Sequence, residues 1–274
     1  MRIRLLIALF LIGSTSIAMT AADQPDVSVT LEKLFTRMLK STGDEEKLRI
    51  NDSIRLIVRS YASSDTVFLH SFEKIRNLGQ ITSPDSLLKI ITWNLFLGDG
   101  TNRYNLYIIR RTEPEALNRI YTLTGEFSEV PVKTDVTYSE SDWYGALYYE
   151  IRPLISDNQT YYILLGLGFG NSLLSRKIIE VLSFQEDGTL LFGMEWFQAG
   201  RTLKYREVIE YASTAATTLR FFSDSMIVFD HLVPVSPEYI NDRRYYVPDY
   251  SYDAYEYLNG LWRLRINVDV RNKQ

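Results

Sequence analysis

The chain has no cysteine among its 274 residues. That excludes a disulfide framework, a thiolate metal site and a cysteine nucleophile together. It also excludes a bacterial lipoprotein anchor, which requires a Cys directly after the cleavage site. Histidine is almost as scarce, with only His70 and His231. Two imidazoles do not make a typical zinc site without carboxylate help, and His-Glu-x-x-His is missing. There is no Gly-x-Ser-x-Gly elbow for acyl transfer. No Lys/Arg-rich run is present, so the electrostatic footprint of a nucleic-acid binder is absent and anionic membrane surfaces are poor partners. Gly and Pro are few, 14 and 8, and beyond the N-terminus no apolar stretch is long enough to span a bilayer.

What is present begins with an address. Arg2 and Arg4 precede an unbroken apolar run, Leu5 to Ile12, and small residues follow, with candidate cleavage sites at Ser16-Ile17-Ala18 and Thr20-Ala21-Ala22. The run falls well short of the ~20 residues of a transmembrane helix, so residues 1–22 read as a secretory signal peptide. Its removal leaves 28 basic against 34 acidic residues, a net charge of −6. The expected protein is exported to the periplasm or exterior of a Gram-negative cell, with no stable membrane span and no nucleic-acid partner. Residues 23–274 are expected to form one globular domain, helical over 28–62 and β-rich over 67–274.

The pattern supports that division. Leu31, Leu34, Phe35, Met38 and Leu39 form one apolar stripe at helical spacing; Thr42-Gly43-Asp44 breaks it, and a second amphipathic helix follows to about Ala62. From about Val67 the period shifts to 2. Strands are expected at 87–96, 104–110, 144–151, 161–167, 177–184, 189–192, 203–211, 217–222 and 226–229. Asp187-Gly188 between apolar runs is a strong hairpin signal. A last strand is expected from Trp262 to Arg271, apolar and polar residues alternating. Residues 112–142 are irregular, read as a loop, a short helix near 115–120 or a spacer. With 19 Tyr, 13 Phe and 4 Trp, the fold class is α+β with β predominating: two N-terminal helices, then a mostly antiparallel meander, a sandwich or a propeller-like array.

Several phrases run through this region: Ser83-Pro84-Asp85, Ile90-Ile91-Thr92-Trp93-Asn94, residues 143–151 from Trp143 to Ile151, Lys177 to Leu182, Ile227 to Leu232 and Tyr246-Val247-Pro248-Asp249. In these the chain resembles a group of uncharacterised exported proteins of Bacteroidota. The resemblance implies an envelope or secreted setting and a β-rich fold, and no activity. In that group a Gly follows the Asp of both Pro-Asp turns. Here Ser86 and Tyr250 stand there, which puts the tight-turn geometry in question at both places. Four Asp-Ser/Thr-apolar triplets, at 52–54, 65–67, 85–87 and 224–226, look like the O-glycosylation acceptors of such proteins but are equally ordinary cap and turn chemistry.

No residue set qualifies as a catalytic, metal or cofactor motif. Gly166-Leu167-Gly168-Phe169-Gly170 echoes a phosphate loop but has Asn171 where the dinucleotide fingerprint wants Gly, so a strand-end bulge or turn accounts for it better. His231 follows Asp230 at a strand end; neighbouring strand residues point to opposite faces, so Asp230 is badly placed to orient that ring. Residues 245–257 hold six tyrosines and three carboxylates, expected as a loop over the sheet. Tyr246, Asp249, Tyr250, Tyr252, Asp253, Tyr255 and Glu256, with Asp230 and His231, are therefore the candidate ligand-binding residues. Rings that stack on sugar faces beside carboxylates that accept hydroxyl protons suit a glycan. The leading expectation is a non-catalytic binding module for a glycan, a peptide or an envelope protein. The alternatives are a hydrolase using distant carboxylates, with His231, and a purely structural envelope component.

Overall fold

A computed structural model describes residues 26–270 except 65, 113–117, 129 and 172. The signal-peptide reading and the triplet at 65–67 fall wholly or partly outside them. Helix α1 (Val27–Lys40) starts at Asp26, whose carboxylate accepts from Ser28 N at 3.0 Å. It packs through Leu31, Phe35 and Met38. Helix α2 (Asp44–Ala62) buries Ile50, Ile54 and Val58. Strands β1 (Gly79–Thr82), β2 (Leu88–Phe96), β3 (Asn102–Arg110) and β4 (Arg119–Glu126) form a first antiparallel sheet in sequence order.

The second sheet is built from β5 (Leu147–Ser156), β6 (Gln159–Phe169) and β7 (Leu174–Phe184). The short β8 (Leu190–Phe192) and β11 (Glu207–Ala212) both pair with β7. The third has the order β10-β9-β15-β14-β13-β12. Its strands are β9 (Phe197–Ala199), β10 (Thr202–Lys204), β12 (Leu219–Ser223), β13 (Met226–Pro234), β14 (Tyr246–Leu258) and β15 (Leu261–Arg265). It is antiparallel except between β15 and β9.

Burial orders these sheets into layers. The helices cover one face of the first sheet around Trp93 and Tyr107. Its other face, with Ile90, Leu106 and Tyr121, meets Leu164, Ile178 and Leu182 of the second. The second sheet's opposite face, Ile163, Leu165, Ile179 and Val181, meets Phe229, Tyr255 and Trp262 of the third. The middle sheet is thus covered on both sides. That is why β6 and β7 read as nearly unbroken apolar runs instead of alternating, as a sheet with one wet face would. The protein is a β-predominant sandwich of stacked open sheets capped by two helices, and no described helix is long and apolar enough to cross a membrane.

Several elements differ from expectation. The strand expected at 203–211 is two, β10 and β11, which belong to different sheets because residues 205–206 carry the chain from one layer to the next, and β1 and β9 lie where no strand is expected. β5 runs through Pro153, tolerated because β5 is a sheet edge, and closes on Asp157-Asn158, both at positive φ, in a two-residue hairpin turn. Residues 119–126, within the stretch read as irregular, are the edge strand β4, with Tyr121 and Leu123 facing the core. The last strand stops at Arg265, because Asn267 at φ 56 turns the chain back and Val268 N donates to Tyr252 O at 2.8 Å. Residues 246–258 are strand β14 instead of a loop. Ser86 and Tyr250 both hold positive φ, 58° and 69°. The left-handed turn geometry therefore survives at both positions without glycine.

Two buried polar clusters join the layers. Arg206 and Glu180 are fully buried and paired at 2.7 Å. Arg206 also donates to the carbonyls of Lys133, Val136 and Phe192, and Tyr144 donates to Glu180 at 2.7 Å. Burial pushes the Glu180 carboxyl up while Arg206 pulls it down. Lys89, on β2, is buried and has no carboxylate partner among the described residues. Its ammonium donates to Val67 O at 2.7 Å, to Tyr61 Oη at 3.1 Å and to His70 O, and desolvation lowers its pKa to about 8.

Candidate functional site

Four of the nine candidate residues, His231, Asp249, Tyr250 and Asp253, gather where β13 and β14 lose register. The two strands pair regularly from Met226 with Glu256 to Asp230 with Tyr252, and resume at Leu232 with Pro248. His231 alone therefore faces three residues, Asp249, Tyr250 and Ser251, and β14 bulges there. Asp249 closes the bulge by accepting from Ser251 N at 3.0 Å and Ser251 Oγ at 2.7 Å. Those bonds hold its carboxyl below the usual range, with His231 adding in the same sense. Tyr250 sits at the crest, left-handed and 94% exposed.

His231 finds its partner across the strands. Asp253 pairs in register with Phe229, two residues from His231, so both side chains lie on one face. Asp253 Oδ2 is 2.8 Å from His231 Nδ1, and Asp253 Oδ1 accepts from Asn267 N at 3.1 Å. A carboxylate on Nδ1 fixes the tautomer that leaves the Nε2 lone pair as an acceptor in the neutral ring. Nε2 has no protein partner among the described residues. Asp230 takes no part, because its carboxylate accepts from Thr218 N at 2.6 Å.

Beside this pair lies a cleft of about 420 Å³ between β11 and the β13–β14 ribbon, lined among others by Lys204, Glu207, His231, Arg243 and Asp253. Glu207 accepts from Lys204 Nζ at 2.9 Å and from the Tyr255 hydroxyl. Burial, with Glu207 in support, raises the Tyr255 pKa far above its ordinary value. Arg243 lies over the Tyr246 ring, 4.1 Å from its centroid. Nothing local in the sequence singles out Lys204, Glu207 or Arg243, since their proximity comes from the packing of β11 on the third sheet.

The other candidates are dispersed by strand alternation. Tyr246 is buried, its hydroxyl donating to Ile240 O at 2.6 Å, and Tyr255 is buried in the core. Glu256 pairs with Arg265 at 3.1 Å, and Tyr252 is half-buried. The 245–257 segment thus makes no continuous aromatic wall; His231, Asp249, Tyr250 and Asp253 are the members brought together. His70 makes edge contacts with Tyr61 and Phe72. Gly166 and Gly170 are packing residues: a Cβ on Gly166 would meet the Tyr148 ring at 3.0 Å, and one on Gly170 would lie 2.0 Å from Leu174 O. Among the described residues no cluster of three or more His, Asp or Glu is arranged to hold a metal ion.

Comparison with protein-family models, with curated proteins and with solved structures finds no match to this chain.

Proposed function

We propose that this is an exported binding module that takes a hydroxyl-rich ligand, a glycan, at the bulge and the adjoining cleft. The observation that carries this reading is Tyr250: a large ring, almost wholly exposed and held in a disfavoured backbone conformation, at the crest of a bulge facing His231. Bulges re-aim side chains next to functional sites, and strained residues cluster there. An exposed ring offers a sugar face a stacking surface. His231 Nε2 and the Asp249 carboxylate supply acceptors for hydroxyls beside it.

The test is a thermal-shift screen of residues 23–274 against malto-, cello- and chito-oligosaccharides and peptidoglycan fragments. A ligand at ~100 times its dissociation constant stabilises the fold by ~2.7 kcal/mol. The expected result is a shift with at least one glycan, abolished by Tyr250→Gly and weakened by Asp253→Asn. A flat screen, or a shift unchanged in Tyr250→Gly, overturns the proposal.

The hydrolase reading draws on the same His231–Asp253 pair, with His231 activating water and Asp253 orienting it. It predicts product release from the bound glycan, lost in His231→Gln with affinity retained. Binding without product favours the module.

A further inference from the structure

A second concavity, of about 490 Å³, opens at the other end of the second sheet. The β2–β3 turn, the end of β6 and the chain after β11 meet there. Its walls are largely apolar. Phe96 and Phe169 lie with ring centroids 5.7 Å apart, and Leu167, Tyr211 and Ala215 continue the lining. Phe96 is 50% exposed, a large ring left partly in water on a groove it could close. The size falls within the roughly 300–1,000 Å³ of small-molecule sites.

Lys177 is the charged residue of this lining. Its ammonium stands 4.8 Å from the Tyr149 ring centroid. It meets no hydrogen-bond acceptor among the described residues: the Asp230 carboxylate acts on it only at a distance and is bonded to Thr218 N. Desolvation lowers its pKa, with Asp230 opposing. Thr217 Oγ1, in the same lining, is buried without a partner among the described residues. A half-buried ammonium and a buried hydroxyl, both without acceptors, are costly unless an acceptor arrives. The apolar walls would hold the rest of the molecule that brings it.

We propose that this groove binds a small amphiphilic carboxylate, its chain lying on Phe96 and Phe169 and its head accepting from Lys177 and Thr217. The site shares no residue with the bulge and does not depend on glycan binding there.

The test is calorimetric titration of the full chain with octanoate and, as a neutral analogue, 1-octanol. Octanoate should bind at least about tenfold more tightly than octanol, the scale of one charge-assisted hydrogen bond. Lys177→Gln should lose that preference while melting as the wild type does. Phe96→Ser, at a partly exposed ring, should weaken both ligands alike, and it tests the groove even where Lys177→Gln fails to fold. No octanoate binding at millimolar concentration, unchanged octanoate affinity in Lys177→Gln, or unchanged affinity for both ligands in Phe96→Ser overturns the proposal.

Discussion

Replacing Tyr250 by glycine should stabilise the protein, although it deletes a large aromatic side chain. The ring is 94% exposed, so its removal uncovers almost no buried apolar surface. The backbone at φ 69° places Cβ against the following carbonyl, a cost of about 1–2 kcal/mol for a non-glycine residue. Glycine removes that cost and gives back about 0.5–1 kcal/mol through the greater freedom of the unfolded chain. The net gain is about 0.5–1 kcal/mol, and at roughly 2–4 °C per kcal/mol for a chain of this size the melting temperature should rise by about 1–4 °C. Urea titration and calorimetry on the wild type, Tyr250→Gly and Ser86→Gly give the measurement. Ser86, exposed and at φ 58°, carries the same backbone strain without a ring. Both variants should gain stability, and Tyr250→Gly alone should lose the glycan response. If Ser86→Gly gains while Tyr250→Gly melts at or below the wild type, the ring makes a stabilising contact and the claim that it stands free for a ligand fails.

Three further outcomes follow from the buried parts of the fold. Gly170→Ala places a methyl 2.0 Å from the Leu174 carbonyl, a backbone clash that should cost about 1–3 kcal/mol or more; a melting temperature equal to wild type would show that the β6–β7 turn adapts. Arg206→Met should destabilise by about 3–5 kcal/mol, and by more than Glu180→Gln, because Arg206 serves three carbonyls besides the carboxylate. Urea midpoints in the reverse order would refute that assignment. Lys89 gives a pH signature. Its folded pKa of about 8 lies below the unfolded value, so at mildly alkaline pH the unfolded chain holds the extra proton and stability should rise with pH. The gain between pH 7 and 9.5 should be of order 1–2 kcal/mol. Tyr61, raised to about 12, acts oppositely from about pH 10 upward, where the unfolded tyrosine has lost its proton and the folded one has not. Lys89→Met should flatten the rise, and an equal rise in that variant would move its origin elsewhere.

Much of the layer structure is written in local periodicity. The stripes of α1 and α2 have a 3.6-residue repeat because each helix buries one face on the first sheet. The doubly buried strands read as runs because both of their faces meet protein. Asp187-Gly188 and Asp157-Asn158 mark hairpins through the backbone geometry those residues tolerate. Periodicity fails where the chain turns against it. The alternation of Trp262 to Val268 continues past Asn267, yet the strand does not, since one left-handed residue redirects the chain. β4 follows residues 112–118, which carry no period of their own, and its membership of the first sheet rests on pairing with β3 along its length.

The site illustrates a deeper limit. Tyr250 takes the place where a glycine would hold the turn without strain, a departure visible in the sequence alone. It lies in a bulge that sets three residues against His231. That register brings Asp253, 22 positions away, onto Nδ1 and leaves the adjacent Asp230 bonded to Thr218. A one-residue change of pairing would send Asp253 to the opposite face and break the pair. The imidazole's chemistry is thus set by a pairing between distant strands, and the residue at the crest of the bulge is the one local trace of it.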